Sequence, residues 1–230
     1  MSNALRKNSG VTLTELLIAL ALTGIVAGAI YNIFISQGRA YTIQSEVAEM
    51  QQNLRAGIFM VEREIRMVGY DPTRAADAEI LTAAPDHLEF TADLNGDGDT
   101  DDPNEHMIYT HYDTDADGTS DALGRDDVNS GAGTQLLAEN IDQLNYVYLD
   151  GSRNALNDMT TSVDPVVLPD IRSIQVTMVA RSGVIDSNYT NNETYQNQNP
   201  GGSEVIYTAP GDNFRRRLLS TEIKCRNLGL

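Results

Sequence analysis

The sequence predicts an α+β protein, one long N-terminal helix packed on an antiparallel β-sheet head. Three observations predict it. Residues 11–36, VTLTELLIALALTGIVAGAIYNIFIS, are almost wholly apolar, and after Glu15 no charged side chain occurs until Arg39. An apolar stripe then continues as Ile43, Val47, Met50, Leu54, Ile58, Val61, Ile65 and Val68, at spacings of three and four, which is one face of a helix. From Asp71 onward, runs of period two alternate with turn residues, the signature of strands with one buried face.

The first half of the helix has the dimensions of a membrane span. About 20 apolar residues cross a hydrocarbon core of roughly 30 Å, and Leu16 to Ile35 supply them. A secretory signal peptide has a shorter apolar region, about 7–15 residues, closed by a small-x-small cleavage site; here the run passes without a break into the amphipathic stripe. Arg6 and Lys7 precede it, so the positive-inside rule keeps the N-terminus cytoplasmic and sends the head outward. Gly24 and Gly28 form a GxxxG, which reads equally as a helix-packing face or as local flexibility. A plain anchor does not explain Glu15, because an ionisable group at the membrane is costly and points to function. Its blander reading is an acid at the positive end of a helix dipole.

Gly10 followed by VTLTE resembles the processing site of a type IV prepilin. The resemblance implies that a prepilin peptidase removes residues 1–10 as a leader and that the new amine, on Val11, is methylated. Val11 stands where that family most often has Phe. Glu15 becomes the fifth mature residue, and the resemblance implies that its carboxylate pairs with the Val11 amine of a neighbouring subunit during assembly. The segments REIRMVGYDP (63–72) and RRRLLSTEIKCRNLGL (215–230) resemble minor pilins of the PilW type, the second also the heads of related secretion pseudopilins. The expected organisation is therefore pilin-like: leader 1–10, membrane and filament-core helix 11–37, amphipathic helix 38–68 ended by Gly69 and Pro72, and a head over 69–230. The implied partners are other pilins and minor pilins, the peptidase, the inner membrane before assembly, and a tip adhesin. The implied location is the bacterial inner membrane, with the head periplasmic, and then a surface filament or its tip.

Composition agrees with export. Sixteen Lys+Arg against 33 Asp+Glu give a net charge of −17, and removal of the leader takes away only Arg6 and Lys7 among charged residues, leaving −19. A chain so acidic repels nucleic acid, so no direct binding to it is expected. Cys225 is alone; no intrachain disulfide can form, and the core or a metal must hold the head.

Strands are expected where apolar residues alternate: Leu88 and Phe90; Leu144, Tyr146 and Tyr148; Ile174, Val176, Met178 and Ala180; Leu219, Thr221, Ile223 and Cys225. Together they predict one sheet laid on the helix stripe. Residues 182–213 are rich in Asn, Gly and Thr and poor in apolar side chains, which reads as a long exposed loop, a mobile connection in preference to a contact surface.

Two acidic stretches carry the only local chemistry. DLNGDGDTD (93–101) and DTDADGTSD (113–121) share the pattern D-x-[DN]-x-D-G-x-x-D. Oxygens at alternate positions with glycine at the sixth suit calcium, which takes six to eight oxygen ligands. The expected ligands are Asp93, Asn95, Asp97, Asp101 and the Asp99 carbonyl for one ion, and Asp113, Asp115, Asp117, Asp121 and the Thr119 carbonyl for a second. Asn104 and Gly124 occupy the twelfth positions, where an EF-hand has a bidentate Glu, and strand-like segments flank the loops. The pattern thus resembles thrombospondin type-3 or dockerin-like loops, with weak affinities of about 10⁻⁴ to 10⁻³ M. The alternative is a pair of solvated acidic turns; the repeat of one ligand spacing favours calcium.

No Walker A, dinucleotide or G-x-S-x-G signature is present. His106 and His111 fall on opposite faces of one apparent strand. The protein reads as a non-enzyme: a minor pilin incorporated in or priming a type IV pilus, with a type II secretion pseudopilin or a non-polymerising, membrane-anchored, calcium-dependent binding protein as alternatives.

Overall fold

The computed structural model describes residues 10–229; residues 1–9, which contain Arg6, Lys7 and nearly all of the expected leader, lie outside the described residues, as does Leu230. The chain divides into two compact units, Met1–Ser45 and Glu46–Leu230. One helix, α1 (Leu13–Ile65), contributes to both.

In the first unit the helix begins where its sequence can satisfy the free N–H groups of its first turn. Every side chain from Val11 to Thr42 is exposed, including Leu13 at 76% and Phe34 at 74%. An apolar helix left this bare in water would be costly, so the surface calls for a nonaqueous neighbour. By length and composition α1 can cross a membrane.

In the second unit the stripe is buried as its spacing predicts: Met50, Leu54, Ile58, Val61 and Ile65, then Val68 beyond the helix end. The helix stops at Ile65, three residues short of the expected Val68, because the last turn tightens. Met67 N donates to Glu64 O (2.8 Å) and Val68 N to Ile65 O (3.2 Å), the three-residue spacing common at helix ends. Gly69 follows at φ +72°, where an added Cβ would also lie 2.5 Å from Leu228 Cδ2. The left-handed conformation alone costs an L-residue about 1–2 kcal/mol. Gly69→Ala should therefore lower the thermal midpoint by about 2–8 °C, at about 2–4 °C per kcal/mol for a chain of this size; an unchanged midpoint would refute this account of the stop.

The head is built on strands β1 (Ile80–Ala84), β2 (His87–Thr91), β3 (His106–Tyr112), β4 (Ala122–Asp127), β5 (Gln135–Glu139), β6 (Ile141–Leu149), β7 (Ser173–Arg181), β8 (Thr194–Gln196), β9 (Val205–Thr208) and β10 (Arg216–Lys224). The first five make an antiparallel meander in chain order; β10, β7 and β6 make a three-stranded antiparallel sheet; β8 and β9 pair as a hairpin. Both larger sheets share one core with the helix, in which Val61, Ile65, Leu88, Phe90, Tyr109, Leu123, Leu144, Tyr146 and Val176 are buried. Gly57 lets the helix approach the sheet closely, since a Cβ there would sit 3.2 Å from Ala138 Cβ.

Two expectations change. The single sheet with one buried face is three sheets, and β6 and β7 are buried on nearly all positions. The second cover comes from the segment read as a loop. Residues 182–213 contain β8 and β9, and Tyr195, Ile206 and Ala209 pack with Val179 in a second small core. Its polar residues are buried because they are paired: Asn197 Nδ2 donates to Asn145 Oδ1 (3.1 Å), while Gln175 exchanges hydrogen bonds with the Gln198 backbone (both 3.0 Å). Satisfied amides can lie inside a fold, which is why composition suggested solvent.

Candidate functional site

The expected processing site lies at the head of α1. Gly10 and Val11 are exposed, and Thr12 precedes the first helical residue. Thr12 N donates to Glu15 Oε2 (2.9 Å), Glu15 N donates to Thr12 Oγ1 (3.3 Å), and the Thr12 hydroxyl also reaches Glu15 Oε2 (2.9 Å). This reciprocal pair is a capping box, T-x-x-E, which satisfies two N–H groups at the helix start. Glu15 thus has a local task within its own chain. The T-x-x-E spacing at Thr12 and Glu15 is the signal in the sequence for this cap. Both of its bonds fall on Oε2, leaving Oε1 open to another partner.

The acidic loops connect β2 to β3 and β3 to β4, and they repeat one backbone pattern. Asp93 Oδ1 and Oδ2 accept from the N–H groups of Gly96 (2.6 Å) and Gly98 (3.1 Å); Asp113 does the same for Ala116 and Gly118 (both 2.8 Å). Asp97 N donates to Asn95 Oδ1, and Asp117 N to Asp115 Oδ1; one step on, Asp99 N donates to Asp97 and Thr119 N to Asp117. The sixth-position glycines sit at φ +96° and +90°, the left-handed region glycine enters freely. The repeat in the sequence is therefore a repeat in conformation.

The loops differ in how their carboxylates converge. Asp113, Asp115 and Asp117 each offer an oxygen within 4.8 Å of the others, and among the described residues no other three acids, His or Cys do so. In the first loop Asn95 interrupts the carboxylates, and its amide donates to Asp97 (2.9 Å) and Asp102 (2.6 Å). Asp93 is fully buried, whereas Asp97, Asp99 and Asp101 are exposed. Asp99 beside Asp101 holds the Asp101 carboxyl above its usual range, by a hydrogen bond and by like charge. The Gly118 N–H, against the opposing effect of burial, holds Asp113 below its own. Asp121 turns Oδ1 to the amide (3.2 Å) and hydroxyl (2.8 Å) of Thr114. The donor set is all oxygen, which fits a hard cation and no soft one.

Sequence reasoning missed Glu105. It stands one place beyond the twelfth position of the first loop, is 1% exposed, and its Oε1 accepts from Leu94 N (2.8 Å) and Asn95 N (3.2 Å). Asn104, at the twelfth position, is held by the scaffold: its N–H donates to Asp127 Oδ2 (3.0 Å) and its Oδ1 accepts from Arg125 (2.9 Å), which also binds Glu64 on the helix (3.1 Å). The histidines go separate ways, His106 to Glu89 and His111 to the Ile141 carbonyl (both 2.8 Å). Cys225 is buried, and burial pushes its thiol up to about 12.

An apolar N-terminal helix continuing into a sheet-covered head defines a pilin-like fold. The model of the prokaryotic N-terminal methylation motif matches residues 5–31. Among solved structures, a type IV-like pilin from Thermus thermophilus is similar at a TM-score of 0.51 and 16% identity, over 78% of this chain and 98% of that one. No curated protein matches the chain. The chain thus carries a prokaryotic N-terminal methylation motif on a fold similar to that of a type IV-like pilin. Pilin-like proteins with such a motif generally act with other pilins and a prepilin peptidase.

Proposed function

We propose that this chain is a minor pilin of the PilW type, cut after Gly10, methylated on Val11, and incorporated into or priming a type IV pilus, with calcium in its head. The observation that carries the pilin part is the methylation motif, residues 5–31, running into a helix whose positions are exposed from Leu13 to Thr42 and which, after Glu15, carries no charge until Arg39. The inner membrane holds that surface before assembly, and neighbouring helices cover it in the filament. Processing is tested by mass spectrometry of the N-terminus. The expected mature chain starts at Val11, and a Gly10→Leu variant remains an uncleaved precursor. A retained residue 1–10 segment in the parent protein would point instead to a membrane-anchored protein that never polymerises.

The calcium part rests on the two matching loops and on the converging oxygens of Asp113, Asp115 and Asp117. Metal bound only by the folded state adds RT ln(1 + [L]/Kd), about 2.7 kcal/mol at a hundredfold excess over Kd. At the affinities expected above, about 1 mM calcium is about a one- to tenfold excess, so each filled site should add about 0.4–1.4 kcal/mol. Each should raise the midpoint of the full chain in detergent micelles by about 1–6 °C over that in EGTA. The difference should vanish in the Asp97→Ala, Asp117→Ala double variant. Equal midpoints with and without calcium would remove the metal from the proposal and leave the pilin reading untouched.

A further inference from the structure

We infer that Glu105, outside the repeated motif, is a calcium ligand of the first acidic loop, so that the two loops bind unequally, the first tightly and the second loosely. The inference rests on the calcium reading and names the oxygen that completes one of its sites.

Glu105 Oε2 is buried and has no hydrogen-bond partner. Such atoms are few in native interiors, because a carboxylate oxygen taken out of water without a donor is costly. Its sister oxygen is already fixed in the loop by the N–H groups of Leu94 and Asn95, so the orphan belongs to a group anchored there. Protonation would not resolve it: the O–H would itself be a buried donor without an acceptor. A cation in the loop resolves it directly. Asp127, the buried acid that holds Asn104 N–H, also has an oxygen without a partner, which adds negative potential at the loop's exit.

The position follows from the scaffold. Asn104 is a poor twelfth ligand, because its side-chain oxygen is neutral and already accepts from the Arg125 guanidinium, whose charge opposes a cation there. The next residue, immediately before β3, brings the carboxylate instead. The second loop has no counterpart. At the same offset from its first aspartate stands Arg125 itself, committed to Glu64, and Asp121 is drawn to Thr114. Calcium loops are tuned by ligand charge and rigidity. The first loop has two buried, pre-positioned acids, Asp93 and Glu105; the second has three exposed or half-exposed ones.

The test is calorimetric titration of calcium into the metal-stripped full chain in detergent micelles. Two classes of site are expected, the first about tenfold tighter or more, as between classes of calcium loop. Glu105→Gln keeps an oxygen for Leu94 and Asn95 but removes the charge. It should weaken the tight class by about tenfold or more while the loose class keeps the parent affinity. Asp117→Ala should abolish only the loose class, and Asp97→Ala the tight one; this pair assigns each class to its loop and can overturn the inference even if the Glu105 variant fails to fold. An unchanged tight class in Glu105→Gln, or a tight class surviving Asp97→Ala, would overturn the assignment while leaving calcium binding in place. A parent protein that binds no calcium would overturn both.

Discussion

Arg216→Met is expected to cost the head about 3–5 kcal/mol, the usual result of removing one partner from a buried ion pair. The Arg216 side chain is 2% exposed and lies between Asp142 (4%) and Asp212 (26%), with Tyr207 OH as a further acceptor at 3.2 Å. Methionine fills similar volume but leaves Asp142 with Arg181 alone (3.1 Å), and Arg181 is half-buried at the edge. At about 2–4 °C per kcal/mol the midpoint should fall by about 6–20 °C. Arg217, next in the chain and exposed, supplies the control: Arg217→Met should stay within about 0.5 kcal/mol. The pH dependence gives a second check. Hydrogen bonds from Arg216 hold the Asp212 carboxyl below its usual range, against the opposing effect of burial. A depressed carboxylate contributes stability above its unfolded pKa and loses it as pH falls through the folded one. The parent should therefore lose stability steeply in the acid range below pH ~4, and the variant should lose less there. Equal acid slopes, or equal midpoints for the two methionine variants, would contradict the network.

The run Arg215-Arg216-Arg217 shows how far the sequence could be read. Alternation announced β10, and likewise β2, β6 and β7, because their apolar residues have period two. It did not divide the three arginines, which the structure sends to Asp186 and the Tyr189 ring, to Asp142 and Asp212, and to solvent. Asp142, Asp186 and Tyr189 lie in distant segments that no local pattern connects, and Asp212, four residues before Arg216, stands outside the alternation of the strand. β4, with ALGRDD, lacked a signal because its pairing with β3 supplies what its own side chains do not. The β8–β9 cover was hidden because its burial depends on amide pairing rather than on hydrophobicity. The acidic loops were legible in full as backbone, since Asx contacts and left-handed glycines are local. Glu105 was not, because the motif counts positions and the loop's exit is set by Arg125 and Asp127 across the sheet.

Glu15 poses the same problem at the other end of the chain, and it leads to the sharpest expected effect on assembly. In the single chain its carboxylate closes the capping box with Thr12. In the proposed filament it must also meet the Val11 amine of a neighbour, with Oε1 free to do so. The two tasks separate chemically, because glutamine can close a capping box but carries no charge. Glu15→Gln and Glu15→Val should both insert in the membrane at least as well as the parent, since a charge leaves the apolar segment. Both should enter filaments about tenfold less or worse: truncating one partner of a desolvated charge pair costs about 2–5 kcal/mol, and about 1.4 kcal/mol is tenfold. Thr12→Ala removes the cap at about 1 kcal/mol and leaves the charge, so it should assemble nearly as the parent does. The measurement is the ratio of subunit in sheared filaments to subunit in the inner membrane, by quantitative immunoblot. If glutamine assembles normally and valine does not, the carboxylate is needed only as a cap. If both assemble normally, the charge has no role in assembly, and the head must recruit this subunit by itself.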